Sequence, residues 1–373
     1  MFKKFSTFFT TMKHLSLYLF IFWLSGCAVE QRETTFVPPV YPSPPDEPRF
    51  YYETTLRSSA DVIPAESDAK MKYLLTGAGR VGEGMSKPYD VAVRQGIVYV
   101  SDPVERQILV FDKTGNRFYR IGEKTPGQLK KPFGIALDDH GKLYVIDNVL
   151  KKAFIYDAKG NFIENIGSED MFHRPTGIAV TKDGTRLFIA DTGGVSTQEH
   201  RIRVFDLKSK KHIFDIGKRG EKEGEFNLPK GMTIGKSDDL LYVVDSANFR
   251  IQSFNSQTGE FVNQFGSIGR LPGKFARPKD ISTDNEGNIY VTDAAFGNFQ
   301  IFNKKGQLLL FVGNRHMDNK PGMFMLPSGI DVDEDGRVLM ADQFFKKVEI
   351  FRPANLESHL GYLGVPKTDK DKK

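Results

Sequence analysis

The fold is predicted by a repeated unit, one copy of which opens with Leu228-Pro229-Lys230-Gly231-Met232-Thr233-Ile234. In this copy it is followed by Leu241-Tyr242-Val243-Val244-Asp245 and then by Arg250-Ile251-Gln252-Ser253-Phe254. Six copies follow one another at intervals of roughly 43–54 residues, a period typical of radial β arrays. The first landmark of each copy is a proline, at Pro88, Pro132, Pro175, Pro229, Pro278 and Pro327.

Each unit contains four runs of strand length, separated by turn residues. The apolar run after the proline leads to a turn such as Lys182-Asp183-Gly184, where glycine accepts a positive φ without steric cost. The second run ends in aspartate, the third in an aromatic residue and the fourth in glycine. No run has a helical period, so each unit predicts a four-stranded antiparallel blade. Six blades arranged radially predict an all-β, six-bladed β-propeller, which leaves few sheet edges exposed.

The linker ahead of each first strand carries a second recurring pattern, Gly-x-Phe-x-x-Pro. Complete copies are residues 224–229, 273–278 and 322–327, and a weaker copy is 127–132. Glu83 and Asp170 replace the glycine in the first and third units. Met85 and Phe172 nevertheless keep the apolar position. The pattern resembles NHL repeats over roughly residues 71–364, and it implies the propeller but no single function, because NHL propellers serve as scaffolds, sensors, RNA binders and lyases.

The first 27 residues have the features of a bacterial export signal. Lysines at positions 3, 4 and 13 precede an apolar run over residues 15–24, which ends in Leu24-Ser25-Gly26-Cys27. This ending resembles a lipobox, so the sequence predicts a lipoprotein anchored through a lipidated Cys27. The alternative is an uncleaved membrane anchor, but the run is far shorter than the ~20 residues that span a bilayer. The predicted location is the bacterial cell envelope, on the outer membrane.

Residues 28–70 form a predicted tether between the lipid and the propeller. Six prolines within residues 38–48 favour an extended polyproline segment. Phe50–Leu56 has strong β character. It is either a strand added along the propeller or a solvated strand within the linker. Residues 73–77 and 359–364 both resemble a fourth strand, and the sequence leaves open which of them closes the sixth blade. The predicted domains are a signal at 1–27, a tether at 28–70, a propeller at 71–364 and a charged tail at 365–373.

Composition limits the functions that this chain can have. Cys27 is the only cysteine, so packing rather than a disulfide must stabilise the exported core. Removal of residues 1–27, with their three lysines, leaves 49 basic and 47 acidic residues, a net charge of +2. A nearly neutral exported domain lacks the basic footprint of a nucleic-acid binder, so no nucleic-acid partner is expected.

The aspartates that end the second runs allow two interpretations. In one, six carboxylates line a pore and bind a cation. In the other, each accepts backbone N–H bonds from the turn that it enters. Six equivalent copies favour the structural role for Asp102, Asp147, Asp191, Asp245, Asp293 and Asp342.

Two further patterns raise the possibility of a metal. Asp331, Asp333 and Asp335 have the spacing of a calcium loop, although they fall in a strand–turn–strand unit rather than between helices. The NHL resemblance also implies comparison with zinc-dependent amidating lyases, whose propellers present histidines to the channel. Only His173 lies where such a ligand would emerge, and three convergent ligands are not visible. The prediction is therefore no cofactor, with zinc or calcium as the alternative.

The third unit departs from the repeat between its aspartate and its aromatic residue. Residues 192–201 contain an insertion, which is either a tolerated surface loop or a contact site for a partner. The candidate partner-binding residues are Gly193, Gly194, Gln198, Glu199, His200 and Arg201.

Two functional hypotheses follow. The favoured one is a lipid-anchored interaction or ligand-binding module that docks another exported or envelope protein and performs no chemistry of its own. The alternative is a zinc- or calcium-dependent lyase or hydrolase of the amidating-lyase or lactonase type.

Overall fold

The computed structural model describes residues 37–65 and 82–364, and these form the predicted six-bladed propeller. Every blade is an antiparallel sheet of four strands, and the first strands of the six blades contact one another in a ring. From the innermost to the outermost strand, blade 1 consists of β3 (Asp90–Arg94), β4 (Ile97–Asp102), β5 (Gln107–Asp112) and β6 (Arg117–Ile121); blade 2 of β7 (Pro132–Leu137), β8 (Leu143–Asp147), β9 (Lys152–Tyr156) and β10 (Phe162–Ile166); blade 3 of β11 (Pro175–Val180), β12 (Arg186–Asp191), β13 (Arg201–Asp206) and β14 (Lys211–Ile216); blade 4 of β15 (Pro229–Ile234), β16 (Leu240–Asp245), β17 (Arg250–Asn255) and β18 (Phe261–Phe265); blade 5 of β19 (Pro278–Thr283), β20 (Ile289–Asp293), β21 (Asn298–Phe302) and β22 (Leu308–Val312); and blade 6 of β25 (Pro327–Val332), β26 (Val338–Asp342), β27 (Lys347–Pro353) and β2 (Phe50–Leu56).

The remaining elements are short. They are β1 (Val40–Tyr41), which pairs with β2, the parallel pair β23 (Asn314–Arg315) and β24 (Met323–Phe324), and a 3₁₀ turn at Ser59–Asp61. Within the described ranges, no helix is long and apolar enough to cross a membrane.

The hydrophobic core lies between neighbouring blades. Phe188 and Val204 of blade 3, for example, share one cluster with Met232 of blade 4 and with Phe226 of the linker that joins the two blades. A single blade cannot bury both of its faces, so the ring folds as a unit. The linker aromatic residues that the repeat predicted are fully buried, as at Phe226, Phe275 and Phe324.

Glycine ends a fourth strand because the linker aromatic residue occupies the space beside it. Gly266 has a φ of +94°, and a Cβ there would lie 2.5 Å from the ring of Phe275. Only glycine accepts both this backbone conformation and this close approach.

Ring closure differs from the expectation. The strand that completes blade 6 is β2 at Phe50–Leu56, which pairs antiparallel with β27. Residues 359–364 form turns rather than a strand, and residues 73–77 lie outside the described residues. The propeller therefore includes a segment that the sequence assigned to the 28–70 tether. The reason is burial, since Phe50 and Leu56 at the two ends of β2 pack into the core.

The strand-end aspartates hold the linkers in place. All six are fully buried. In Asp293, Oδ2 accepts the N–H groups of Ala276 and Arg277 in the linker, and Oδ1 accepts those of Ala295 and Phe296 in the following turn. Asp102, Asp147 and Asp342 repeat this arrangement, whereas Asp191 and Asp245 use fewer backbone donors and take an arginine neighbour.

Candidate ligand-binding channel and linker face

The six innermost strands surround a cavity of about 410 Å³, to which every one of them contributes side chains. This volume suits a small ligand or the end of a larger one. Both polar and apolar groups line the cavity, so the positions of its charges decide what it can bind.

The innermost strands of five blades have a register shift after the opening proline. In β19 the pairing with β20 shifts between Pro278 and Ile281, and the two residues between them, Lys279 and Asp280, both line the cavity. Neighbours in a regular strand point to opposite faces, and a bulge changes their direction. Shifts over two residues also occur in β7, β15 and β25, β11 has a shift over one residue, and β3 pairs in regular register.

Sequence reasoning missed the residues that the first two positions after each proline bring to the cavity. Alignment of the six prolines would have shown them, since two lysines and two acids occupy positions that are otherwise mostly small. The first residue after the proline supplies Tyr89, Thr176, Lys230, Lys279 and Ser328 to the lining, and the second supplies Asp90, Gly134, Gly177, Gly231, Asp280 and Gly329.

Asp90 and Asp280 form a hydrogen-bonded carboxyl pair, although blade 6 separates their blades. Gly329 of blade 6 makes this possible, because a side chain there would collide with Asp90. The outer oxygens accept the N–H groups of Ile135 and Ile330, each at 2.9 Å. Burial, and then the charge of Asp280, raise the pKa of Asp90 well above its usual value, and burial raises the pKa of Asp280 to about 6. The protonated form of the pair is therefore favoured relative to that of an exposed aspartate.

The replacement Asp280→Asn is expected to stabilise the protein at pH 7.5 by about 1–2 kcal/mol. The folded pKa of Asp280 is raised, so the folded state binds a proton that the unfolded chain releases, and stability falls as the pH rises from about 4 to about 6. An asparagine cannot ionise, so the gain should shrink towards zero at pH 4. Denaturant unfolding at both pH values measures this. Asp139→Asn, at an exposed cavity-lining carboxylate, is the control, and an equal gain at both pH values would contradict the linkage.

The three aspartates of the predicted calcium loop have separate environments. Asp331 lines the cavity and accepts the Ser282 hydroxyl at 2.8 Å. Asp333 is buried against its own turn, and burial raises its pKa to about 7. Asp335 accepts the N–H of Tyr362. In the described ranges, no group of three or more histidine, cysteine, aspartate or glutamate residues is arranged to hold a metal ion.

His173 is exposed in the linker before blade 3, where its backbone N–H donates to Asp191 at 3.0 Å. Among the described residues that line the cavity there is no histidine. The cavity therefore lacks the donor set of a histidine-ligated zinc ion.

The inserted loop of blade 3 is anchored by His200, which is fully buried. The Leu228 N–H donates to its Nδ1 at 3.2 Å, so its Nε2–H donates to the Gly194 carbonyl at 2.8 Å. Arg219 holds the tip of the loop by donating to the carbonyls of Val195 and Thr197. Of the six candidate residues, Gly193 and His200 are buried and Gln198 is exposed, while Gly194, Glu199 and Arg201 are half-buried. The predicted loop is therefore ordered by its own contacts, and it presents mainly its tip.

The loop belongs to what we term the linker face: the side of the ring formed by the inter-blade linkers and by the turns between second and third strands. The antiparallel order of each blade places all of these segments on one side. Exposed apolar side chains collect there, at Val104, Val149, Met171, Val195, Ile268, Leu271, Met317 and Phe344.

Comparison with known proteins agrees with this architecture. A family model described as a 6-bladed β-propeller matches residues 84–173 and 237–296. The chain is 28% identical to the protein brain tumor of Drosophila melanogaster over 172 residues, 46% of this chain and 15% of that protein. It is 27% identical to peptidylglycine α-amidating monooxygenase of Rattus norvegicus over 184 residues, 45% of this chain and 18% of that protein. The chain therefore spans less than a fifth of the length of these relatives.

Solved structures show the same fold. A gluconolactonase from Xanthomonas campestris superposes with a TM-score of 0.55 at 14% identity, over 81% of this chain and 98% of that one. The ring of six four-stranded blades defines the class of protein, a six-bladed β-propeller. In its linker pattern and in its relatives, which include NHL repeat-containing protein 2 of Homo sapiens at 27% identity over 26% of this chain and 14% of that protein, the chain is similar to NHL-repeat propellers.

Proposed function

We propose that this propeller is a binding module that docks a segment of another protein on its linker face. The observation that carries the proposal is the set of eight exposed apolar side chains on that face. Leu271, for example, is 71% exposed in the linker between blades 4 and 5. Large apolar patches on a soluble protein mark interaction sites more often than chance.

The chemistry of the partner segment follows from the charges beside these apolar positions. Arg270 precedes Leu271, and Arg219 donates to the carbonyl of Val195 at 2.8 Å. Val104, Val149 and Phe344 are each followed, two positions later, by a basic residue: Arg106, Lys151 and Lys346. Acids adjoin three positions of the face, Glu105 beside Val104, Asp170 beside Met171 and Asp318 beside Met317. Charge complementarity selects partners, so a segment with apolar side chains and with acidic ones opposite the basic positions suits this face best.

The lipoprotein prediction belongs to this proposal as its means of localisation. Cys27 and the export signal lie outside the described residues, so the anchor stays a prediction. A lipid-anchored propeller would meet partners in the cell envelope, as the composition also favours.

A metal-dependent lyase or hydrolase remains the second candidate because of the amidating monooxygenase relatives. The described lining of the cavity does not fit a histidine-held zinc ion, and the three aspartates of the predicted calcium loop do not converge. We therefore derive no catalytic step through a metal.

Selection of peptides tests the docking proposal without a known partner. Random peptides about twelve residues long, displayed on phage, are selected on the full chain, and acidic sequences with Leu, Phe or Trp are expected. Leu271→Asp and Val149→Asp should each weaken the binding of a selected peptide about tenfold. Each variant replaces an apolar contact with a negative charge, which repels an acidic peptide.

The matched control is Val262→Asp, which changes a half-exposed apolar side chain on the outer strand of blade 4. It should leave peptide affinity unchanged. Peptides without acidic enrichment, or an equal loss in the Val262 variant, would refute docking on the linker face.

A further inference from the structure

We propose that the mouth of the central cavity on the linker face binds an oxyanion, the carboxylate or phosphate group of a ligand, between the ammonium groups of Lys230 and Lys279. This inference goes beyond partner docking, because it concerns the cavity rather than the exposed apolar side chains of the linker face. It does not depend on the docking proposal.

The two lysines are neighbours in space although different blades supply them. Lys230 and Lys279 are the first residues after the opening prolines of blades 4 and 5, and their side chains are within hydrogen-bonding reach of each other. Both line the cavity. Arg277, in the linker just before Lys279, adds positive charge to both.

The charges of this pair are not neutralised from within the described part of the chain. No ion pair joins either ammonium group to a carboxylate there. The charge of Asp293 acts on Lys279, but the oxygens of Asp293 already accept four backbone N–H bonds. Asp280, the next residue, is engaged with Asp90 and with the N–H of Ile330.

Two adjacent cations without an anion destabilise each other, and the pKa of Lys279 reflects this. Burial and then the charge of Lys230 lower the pKa of Lys279 to about 7. Burial also lowers the pKa of Lys230, while the hydrogen bond to Lys279 partly offsets this. An oxyanion between them would remove the repulsion and accept hydrogen bonds from both ammonium groups. The Thr176 and Ser328 side chains on the same lining offer further polar contacts.

The test is calorimetric titration of the full chain with inorganic phosphate and with succinate, at constant ionic strength and pH 6.5. Saturable binding of either anion is expected, and it should weaken about tenfold in Lys230→Gln and in Lys279→Gln. Lys208→Gln, at an exposed turn of blade 3, is the matched control and should bind as the wild type does. Preference for phosphate or for succinate identifies the ligand group.

The pH dependence gives an independent readout. Succinate, which is almost fully ionised over this range, should bind more weakly at pH 8.5 than at pH 6.5 as Lys279 loses its proton. The other charged groups that act on the lysine pair are Arg174, Arg277 and Asp293. A third readout uses the wild-type protein alone. Bound phosphate should slow the acetylation of Lys279 by acetic anhydride, and mass spectrometry measures the extent of acetylation.

Absence of saturable binding for both anions would overturn the inference, as would an equal loss in the Lys208 variant or unprotected acetylation of Lys279. Leu271→Asp separates the two proposals. If it loses the selected peptides and keeps the anion, the docking face and the anion site are independent.

Discussion

Glu53→Ala is expected to lower the free energy of unfolding by about 3 kcal/mol, because the buried Arg337 guanidinium loses its hydrogen-bonded carboxylate and keeps only the weaker ion pair with Asp335 at 3.8 Å among the described residues. Arg337 is fully buried, and its Nε donates to Glu53 at 2.7 Å. The Nη2 atom of Arg337 also donates to the carbonyls of Ser358 and Leu360. One side chain thus joins the closing strand, the sixth blade and the C-terminal segment.

The position of Glu53 explains why this contact forms. The register of β2 against β27 shifts between Tyr52 and Thr54, so Glu53 is the extra residue of a bulge. A bulge changes the direction of a side chain, and here the carboxylate also reaches 3.6 Å from Arg352.

Denaturant unfolding and hydrogen exchange check this prediction. Amides of β2 and β27 should exchange faster in Glu53→Ala than in the wild type, because the closing strand opens first. Removal of both charges in Glu53→Leu with Arg337→Met should recover roughly 2 kcal/mol relative to the single variant. Glu357→Ala, at an exposed carboxylate, is the control. A loss below about 1 kcal/mol in Glu53→Ala would show that the pair does not hold the ring closed.

Asp293→Ala is expected to cost a similar amount, about 3–5 kcal/mol, through a different mechanism. Four backbone N–H groups lose their acceptor at once, two in the linker and two in the turn, in a fully buried site. Asp293→Asn should be intermediate, because its oxygen accepts one pair of donors while its amide faces the other.

The same variant reports on the cavity. Arg277 directly precedes the opening proline of blade 5, so release of its N–H should loosen Lys279 and weaken anion binding as well as stability. Unfolding midpoints and phosphate titration measure the two effects. Asp318→Ala, at an exposed surface ion pair, should change stability by less than about 0.5 kcal/mol. If Asp293→Ala is no worse than this control, the strand-end aspartates do not hold the linkers.

The sequence alone determined the architecture, because the residue pattern that predicts a blade is local and is repeated six times. Each recurring position of the repeat acts within one blade or the adjoining linker: the proline, the turn glycine, the aspartate and the linker aromatic residue. In the structure, for example, Asp293 and Phe275 are both buried, and Asp293 accepts the N–H of Ala276 in the linker. The inserted loop of blade 3 was found for the same reason, as a departure from a known period.

Only the tertiary structure decided how the ring closes and which residues meet at its centre. Phe50–Leu56 lies about three hundred residues from its partner strand β27, and no local pattern distinguishes it from a linker strand. Asp90 meets Asp280, and Lys230 meets Lys279, because the ring brings the innermost strands of separate blades together, with a register shift in β15 and in β19. Such contacts depend on the curvature of the whole array, which a single repeat does not contain.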